Sequence, residues 1–180
     1  MCLNNSNFKI RKSLLESDYS PDIKLYSFES QQENIELKNK YLGWLNYTDN
    51  LKLIGSKELM KRDKKIDFVN KSFLRFNKLN SQAFFIFYKK LNLFVGTIKL
   101  DSIDWEKGIA VDGILIGEKE YQGKGIATQA YKILLTYGFS TLKLRKILGG
   151  CNEKNLSMIK VFNRLGYTKE GAFRNVDFID

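Results

Sequence analysis

A mixed α/β sheet with helices packed on it is the fold class this sequence predicts, from three observations. Beyond Ser81 the apolar pattern changes from a helical period to an extended one, and three strand-like runs follow in succession. A long amphipathic segment then opens at a pair of glycines, Gly123 and Gly125. A short strand, a shorter helix and a last strand close the order.

In chain order, residues 1–20 carry the least pattern and read as an extension to a single domain over 21–180. Ser20-Pro21-Asp22 is a turn signal before a first strand, Ile23 to Phe28. Between Gln31 and Leu45, Ile35, Leu37, Tyr41, Leu42, Trp44 and Leu45 recur at helical spacing among charges. A second helix runs from Lys64 to Asn77, with Ile66, Val69, Phe73, Leu74 and Phe76 as its buried side. Ala83 to Tyr88 and Leu93 to Leu100 form a hairpin about Lys90-Leu91-Asn92. Ile109 to Gly117 is nearly all apolar, as a strand in the middle of a sheet must be. Gly123 to Leu142 is the long helix, with Ile126, Ala130, Ile133, Leu134 and Tyr137 inward. Lys146 to Cys151 is a strand, and Asn155 to Leu165 is a helix stopped by Gly166 at C′, where glycine takes a left-handed conformation most cheaply. Tyr167 to Phe173 resumes as a strand.

Composition removes several function classes. The 180 residues hold 30 basic and 20 acidic side chains, a formal charge of +10 that favours anionic ligands. Histidine is absent, which excludes Ser-His-Asp and Cys-His catalysis and the HExxH zinc sites. The two cysteines, Cys2 and Cys151, have no metal-ligand spacing, so no metal and no disulfide framework is expected and a reducing cytoplasm fits. The N-terminus lacks the apolar core of a secretory signal, and the longest apolar runs fall short of the roughly 20 residues that span a bilayer, so no membrane partner is expected. Lys57, Lys61, Arg62, Lys64 and Lys65 make a basic segment, yet no nucleic-acid-binding motif accompanies it.

The stretch from Gly117 to Ala127 follows an apolar strand and opens a long helix. A helix start leaves backbone N–H groups unpaired and carries partial positive charge, which suits a phosphate. Gly123 and Gly125 lack the Cβ that would hold a ligand away, and Lys124 adds a full charge. The guest this predicts is a pyrophosphate. GxxxxGK[ST] is missing, and the dinucleotide fingerprint would need glycine where Thr128 stands.

Gln122-Gly123-Lys124-Gly125-Ile126-Ala127 resembles the Q/R-x-x-G-x-G/A signature of the GNAT superfamily of N-acetyltransferases. Lys146 to Cys151, Asn155-Leu156-Ser157, Phe162 to Tyr167 and Glu170-Gly171 resemble, in order and spacing, that family's fifth strand, its N-x-x-S helix start and its lGF…EG ending. Tyr41 to Asn46 is similar to the YxxWLND segment of the ribosomal-protein-alanine and sugar-modifying branch. The resemblance implies a mostly antiparallel sheet splayed in the middle, helices on both faces, and acetyl-CoA as cosubstrate. It implies that Gln122, Gly123, Lys124, Gly125, Ile126 and Ala127 cradle the pyrophosphate. Backbone groups near Leu115 and Ile116 would bind the pantetheine arm like an extra strand. Asn155 caps its own helix, touches the arm, or does both.

The reaction implied is direct acetyl transfer to a primary amine, with no covalent enzyme intermediate. Without histidine the candidate bases are Asp112, Glu118 and Glu120; Asp112 is preferred because it alternates with Ile114 and Ile116 along the strand. An ungapped match to the family places Val111 at its commonest acid position. Phe162 stands where many members carry the tyrosine that protonates the leaving thiolate, so Ser157 or water takes that part. The final residues, Asn175 to Asp180, look short beside the family's last strand, so the expectation is that some acceptor-site wall is either missing or supplied by a partner subunit in a homodimer. The charge ranks a nucleotide-linked amino sugar first and a protein N-terminus second as acceptor, ahead of polycations. A CoA-binding module without catalysis and a nucleic-acid-binding protein are the readings from other classes.

Overall fold

The computed structural model describes residues 12–47, 49, 65–76 and 78–174. Six strands form one sheet in the order β1 (Leu14–Leu15), β2 (Ile23–Ser27), β3 (Gln82–Tyr88), β4 (Leu93–Asp104), β5 (Ile109–Ile116) and β6 (Lys146–Leu148). Every pairing is antiparallel except β5 with β6. The parallel step follows from the crossover helix between those two strands.

Four helices of the described residues cover the two faces. On one face lie α1 (Ile35–Asn46) and α2 (Ile66–Phe76); on the other lie α3 (Ile126–Thr136) and α4 (Leu156–Arg164). Alternation along β3 divides the core: Ala83 and Phe85 join Phe28, Leu37, Tyr41, Trp44, Leu45, Val69 and Phe73 on the first face. Phe84 and Ile86 join Ile98, Leu100, Ala110 and the inner residues of α3 on the second. Asn34 caps α1 by accepting from the Leu37 amide at 3.0 Å, which ends the loop before the apolar stripe begins.

The hairpin, the central strand and the helices occupy the places the pattern predicts, with four differences. Leu14–Leu15 pairs with β2, Leu15 is buried, and the buried Ser20 hydroxyl donates to the Gln129 carbonyl at 3.0 Å. Residues 12–20 therefore belong to the domain rather than to an extension, because a two-residue strand gives no periodicity to read. On α2, Val69 and Phe73 face inward, whereas Leu74 is 66% exposed. The long helix ends at Thr136 and continues as a π-helical turn, Tyr137–Thr141.

The fourth difference concerns the end of the chain. No strand forms over Tyr167 to Phe173. The Tyr167 amide closes the C-terminus of α4 on the Phe162 carbonyl at 3.0 Å, with Gly166 at φ 78°. Its side chain turns inward, and Lys146 holds Glu170 at 2.8 Å from both oxygens. β6 is three residues long and runs into Gly149-Gly150, so the sheet offers little edge for a further strand. The first eleven residues with Cys2, Lys57, Lys61, Arg62, Lys64, Asn77 and the tail 175–180 lie outside the described residues.

Candidate active site

β5 and β6 share only three pairs, Ile109 with Lys146, Ala110 with Ile147 and Val111 with Leu148. From Asp112 to Ile116, β5 keeps its partner β4 but has parted from β6. Antiparallel pairing sends alternate residues' backbone groups to opposite sides. The Gly117 amide donates to the Val95 carbonyl at 2.9 Å, and a Cβ built on Gly96 would lie 2.1 Å from the Leu115 carbonyl oxygen. Leu115 thus turns its backbone toward β4, while Ile114 and Ile116 turn theirs into the fork. Of the two positions expected to read a pantetheine arm, Ile116 faces it and Leu115 does not.

A bulge in β4 anchors the end of β5. Between Ile86–Gly96 and Phe87–Phe94 the register slips, leaving Val95 as the extra residue on β4, and its carbonyl also accepts from the Glu118 amide at 3.3 Å. The Gln122 side-chain amide closes the loop by donating to the Ile116 carbonyl at 3.0 Å, so the first residue of the glycine motif ties the loop to the strand.

At the start of α3, Gly123 and Gly125 take φ 74° and 78°, left-handed values that an L side chain rarely adopts. Gly125 is the N-cap and brings no side-chain cap, so the first-turn amides of Ile126, Ala127 and Thr128 lack the partner that serine or asparagine would supply. A Cβ built on either glycine meets nothing within 4 Å, which leaves open space above the turn. The Thr128 hydroxyl oxygen is buried with no hydrogen-bond partner. Lys124 lies over the Tyr121 ring at 5.2 Å. Unpaired backbone donors, a basic side chain and free space fit the diphosphate of a coenzyme A.

Asn155 caps α4, accepting from the Met158 amide at 3.0 Å. Ser157 is exposed in the same first turn. Among the described residues no cluster of three metal-ligating side chains occurs, and no helix is long and apolar enough to cross a membrane.

Asp112 stands one residue past the last β5–β6 pair and is 7% exposed. Oδ1 accepts from the Tyr131 hydroxyl at 2.8 Å and Oδ2 from the Tyr167 hydroxyl at 2.6 Å. Burial pushes its carboxyl above the usual carboxylate range, against the two phenol hydrogen bonds that pull it down. Both phenols are themselves raised, by burial first and then by the neighbouring carboxylate. Asp112 faces α3 and the chain leaving α4 with both oxygens occupied by phenol hydroxyls, while α1 lies on the opposite face of the sheet.

Glu118 faces that other side. Its Oε1 accepts from the Trp44 indole N–H at 3.1 Å and meets Lys40 Nζ at 3.1 Å, and a third of its side chain is exposed. Gly117 makes the approach possible: a Cβ there would come 2.2 Å from the Trp44 ring. The sequence offers Glu118 as a candidate base ranked behind Asp112, and gives no role to Tyr131 or Tyr167. The signal available was a tyrosine within an inward-facing helical stripe, since a buried phenol needs an acceptor.

The profile of the acetyltransferase (GNAT) domain matches residues 24–168. The chain belongs to that family. Among curated relatives, an uncharacterised N-acetyltransferase of Bacillus licheniformis is 36% identical over 101 residues, 55% of this chain and 56% of that protein. The spermidine N(1)-acetyltransferase of Escherichia coli K12 is 38% identical over 66 residues, 37% of this chain and 36% of the relative. The chain thus spans about half the length of the first and about a third of the second. In fold it is similar to the spermidine N-acetyltransferase of Vibrio cholerae in complex with CoA and spermine (TM-score 0.76, 19% identity, 89% of each chain). It is also similar to the CoA complex of RimL, a ribosomal L7/L12 alpha-N-protein acetyltransferase (TM-score 0.70, 18% identity, 92% of this chain and 89% of that one).

Proposed function

We propose that this protein moves the acetyl group of acetyl-CoA directly to a primary amine. The observation that carries the reading is the fork of β5 and β6 leading up to an uncapped, glycine-built helix start. Residues 122–127 hold the diphosphate; Ile114 and Ile116 offer the pantetheine amides a strand edge. Asn155 stands at the start of the helix that flanks the fork.

Bound acetyl-CoA supplies an activated acyl group: the amine nitrogen bonds to the thioester carbon, the carbon–sulfur bond breaks, and the nitrogen's proton must leave. Glu118 is the carboxylate on the α1 side, held by Trp44 and Lys40 in one orientation, and it takes that proton directly or through water. The thiolate is protonated by Ser157 or by water, because Phe162 has no hydroxyl to give.

The acceptor class is argued from charge. A net +10 favours an amine carried on an anionic group, a nucleotide-linked amino sugar, over a protein N-terminus. The polyamine acceptors named for two relatives place spermidine third. The phenylalanine at position 162, wedged between Tyr131 and Tyr167, favours one other reading, a CoA-binding module without turnover.

A thiol-release assay across amino-nucleotide sugars, short peptides and spermidine tests both. Thiol release with a nucleotide sugar supports the first choice, and release with peptide or spermidine alone reassigns the acceptor. Tight CoA binding without release on any amine identifies the module, and absence of CoA binding ends the reading.

A further inference from the structure

The fork in the sheet is built around a carboxylate. Val111–Leu148 is the last pair between β5 and β6; the next residue on one strand is Asp112 and on the other Gly149. A Cβ on Gly149 would lie 3.0 Å from Asp112 Oδ2 and 2.6 Å from the Phe162 ring, so β6 passes the carboxylate with no room to spare. The two phenols that hold Asp112 come from different elements. Tyr131 sits in the second turn of α3, and Tyr167 follows the end of α4. Their rings pack with Phe162 between centroids 4.8 to 6.4 Å apart.

An apolar side chain would fill this place at less cost, since burial works against the charged form of Asp112. What a carboxylate adds is direction. Two short hydrogen bonds fix the strand against α3 and against the chain leaving α4. α3 carries the glycine turn at its start, β5 carries the open backbone strip, and α4 starts at Asn155 and Ser157. One group therefore sets how far apart the diphosphate cradle and the two sides of the fork stand.

We propose that Asp112, clamped by Tyr131 and Tyr167, is a positioning residue: a wedge that holds the β5–β6 fork at the width of a pantetheine arm, and not the acceptor of the amine's proton. The inference rests on the reading of coenzyme A in the fork.

The test measures CoA affinity by calorimetry, KM for acetyl-CoA, kcat with its pH profile, and Tm. The proteins are Tyr131→Phe, Tyr167→Phe, the double variant, Asp112→Asn and Gly149→Ala. The phenylalanines keep the ring packing and remove one donor each. Gly149→Ala leaves every hydrogen-bonding group in place and presses on Phe162 and Asp112.

Each single tyrosine variant should weaken CoA binding and raise KM by about three- to tenfold, and the double variant by more than about tenfold, since only part of the worth of each hydrogen bond to the carboxylate is felt at the coenzyme. Asp112→Asn, which keeps one acceptor oxygen, should fall between them. Gly149→Ala should raise KM without changing the number of donors and acceptors. Saturating kcat should stay within about threefold, with its pH profile unmoved.

A fall in Tm with unchanged CoA affinity in every variant would show a merely structural cluster and overturn the proposal. So would an Asp112→Asn protein with normal KM, a kcat lowered by tenfold or more, and a lost acidic limb in the pH profile. A wild-type protein that binds no CoA would defeat the functional reading itself, and the wedge with it.

Discussion

The two faces of the sheet are held by different physics. Under α1 and α2 the interior is aromatic: Phe28 stacks on Phe85 at 4.1 Å and 10°, and Tyr41, Phe73 and Phe76 close around the pair. Under α3 and α4 an aliphatic core is threaded by directional polar contacts. Tyr131 and Tyr167 bond Asp112, Tyr137 bonds Gln82 at 2.7 Å, and Ser20 bonds the α3 backbone. Apolar burial is nondirectional and tolerates sliding. Hydrogen bonds in a low-dielectric interior do not. The α3 and α4 face, with Asp112 at the fork, has mostly the directional kind, and the α1 and α2 face has mostly the adaptable kind.

Removing the centre of the aromatic face tests that contrast hardest. Phe85→Ala, at a fully buried ring, should cost about 3–5 kcal/mol in chemical denaturation. The folded fraction should keep CoA affinity within about twofold; a large loss of affinity would mean the faces are not separable. Gly125→Asp probes the other side. A side chain at φ 78° is strained and a carboxylate there puts negative charge at the helix start, so Tm should fall by a few degrees while CoA binding falls at least about a hundredfold, or about 2.7 kcal/mol. Retained binding would remove the glycine turn from the site.

Glu118→Gln, on the acceptor side, should lower kcat by about tenfold or more when the amine is mostly protonated, and less at pH values above the amine's pKa. An unchanged rate at low pH would leave water as the base.

Asp101 gives the smallest effect. Burial opposes its ionisation, but hydrogen bonds from Lys99 and the Ser102 amide outweigh it, and its carboxyl lies below the usual range. Arg75, itself 63% exposed, adds an ion pair at 2.8 Å. A depressed carboxyl stabilises the fold above its unfolded pKa and loses that contribution as pH falls through the folded value. Asp101→Asn should therefore cost about 1 kcal/mol at pH 7, allowing for solvent screening, and progressively less toward pH 2. A cost that does not change with pH would make the contact one of shape alone.

Most elements were legible because their signals are local. The hairpin from Ala83 to Leu100, the apolar run Ile109 to Gly117 and the glycine turn at 123–125 each state their geometry within a few residues. Leu14–Leu15 is invisible because two residues carry no period, and Tyr167 to Phe173 misleads because a segment that follows a helix stop and is bounded by aromatic residues reads as a strand whether or not an edge awaits it. The alternation of Asp112 with Ile114 and Ile116 is what recommends it as a base. That alternation placed it on the correct side of β5 but could not show which helices cover that side.

By itself the sequence determined the glycine turn at the start of α3, since a strand, two glycines and a helix start follow one another along the chain and need no distant contact to take shape. Only the tertiary structure decided what Asp112 does. Its partners lie 19 and 55 residues away, on a helix and beyond a helix that local pattern cannot orient. A side chain's chemistry depends on which groups close over it, and that is settled when the faces pack.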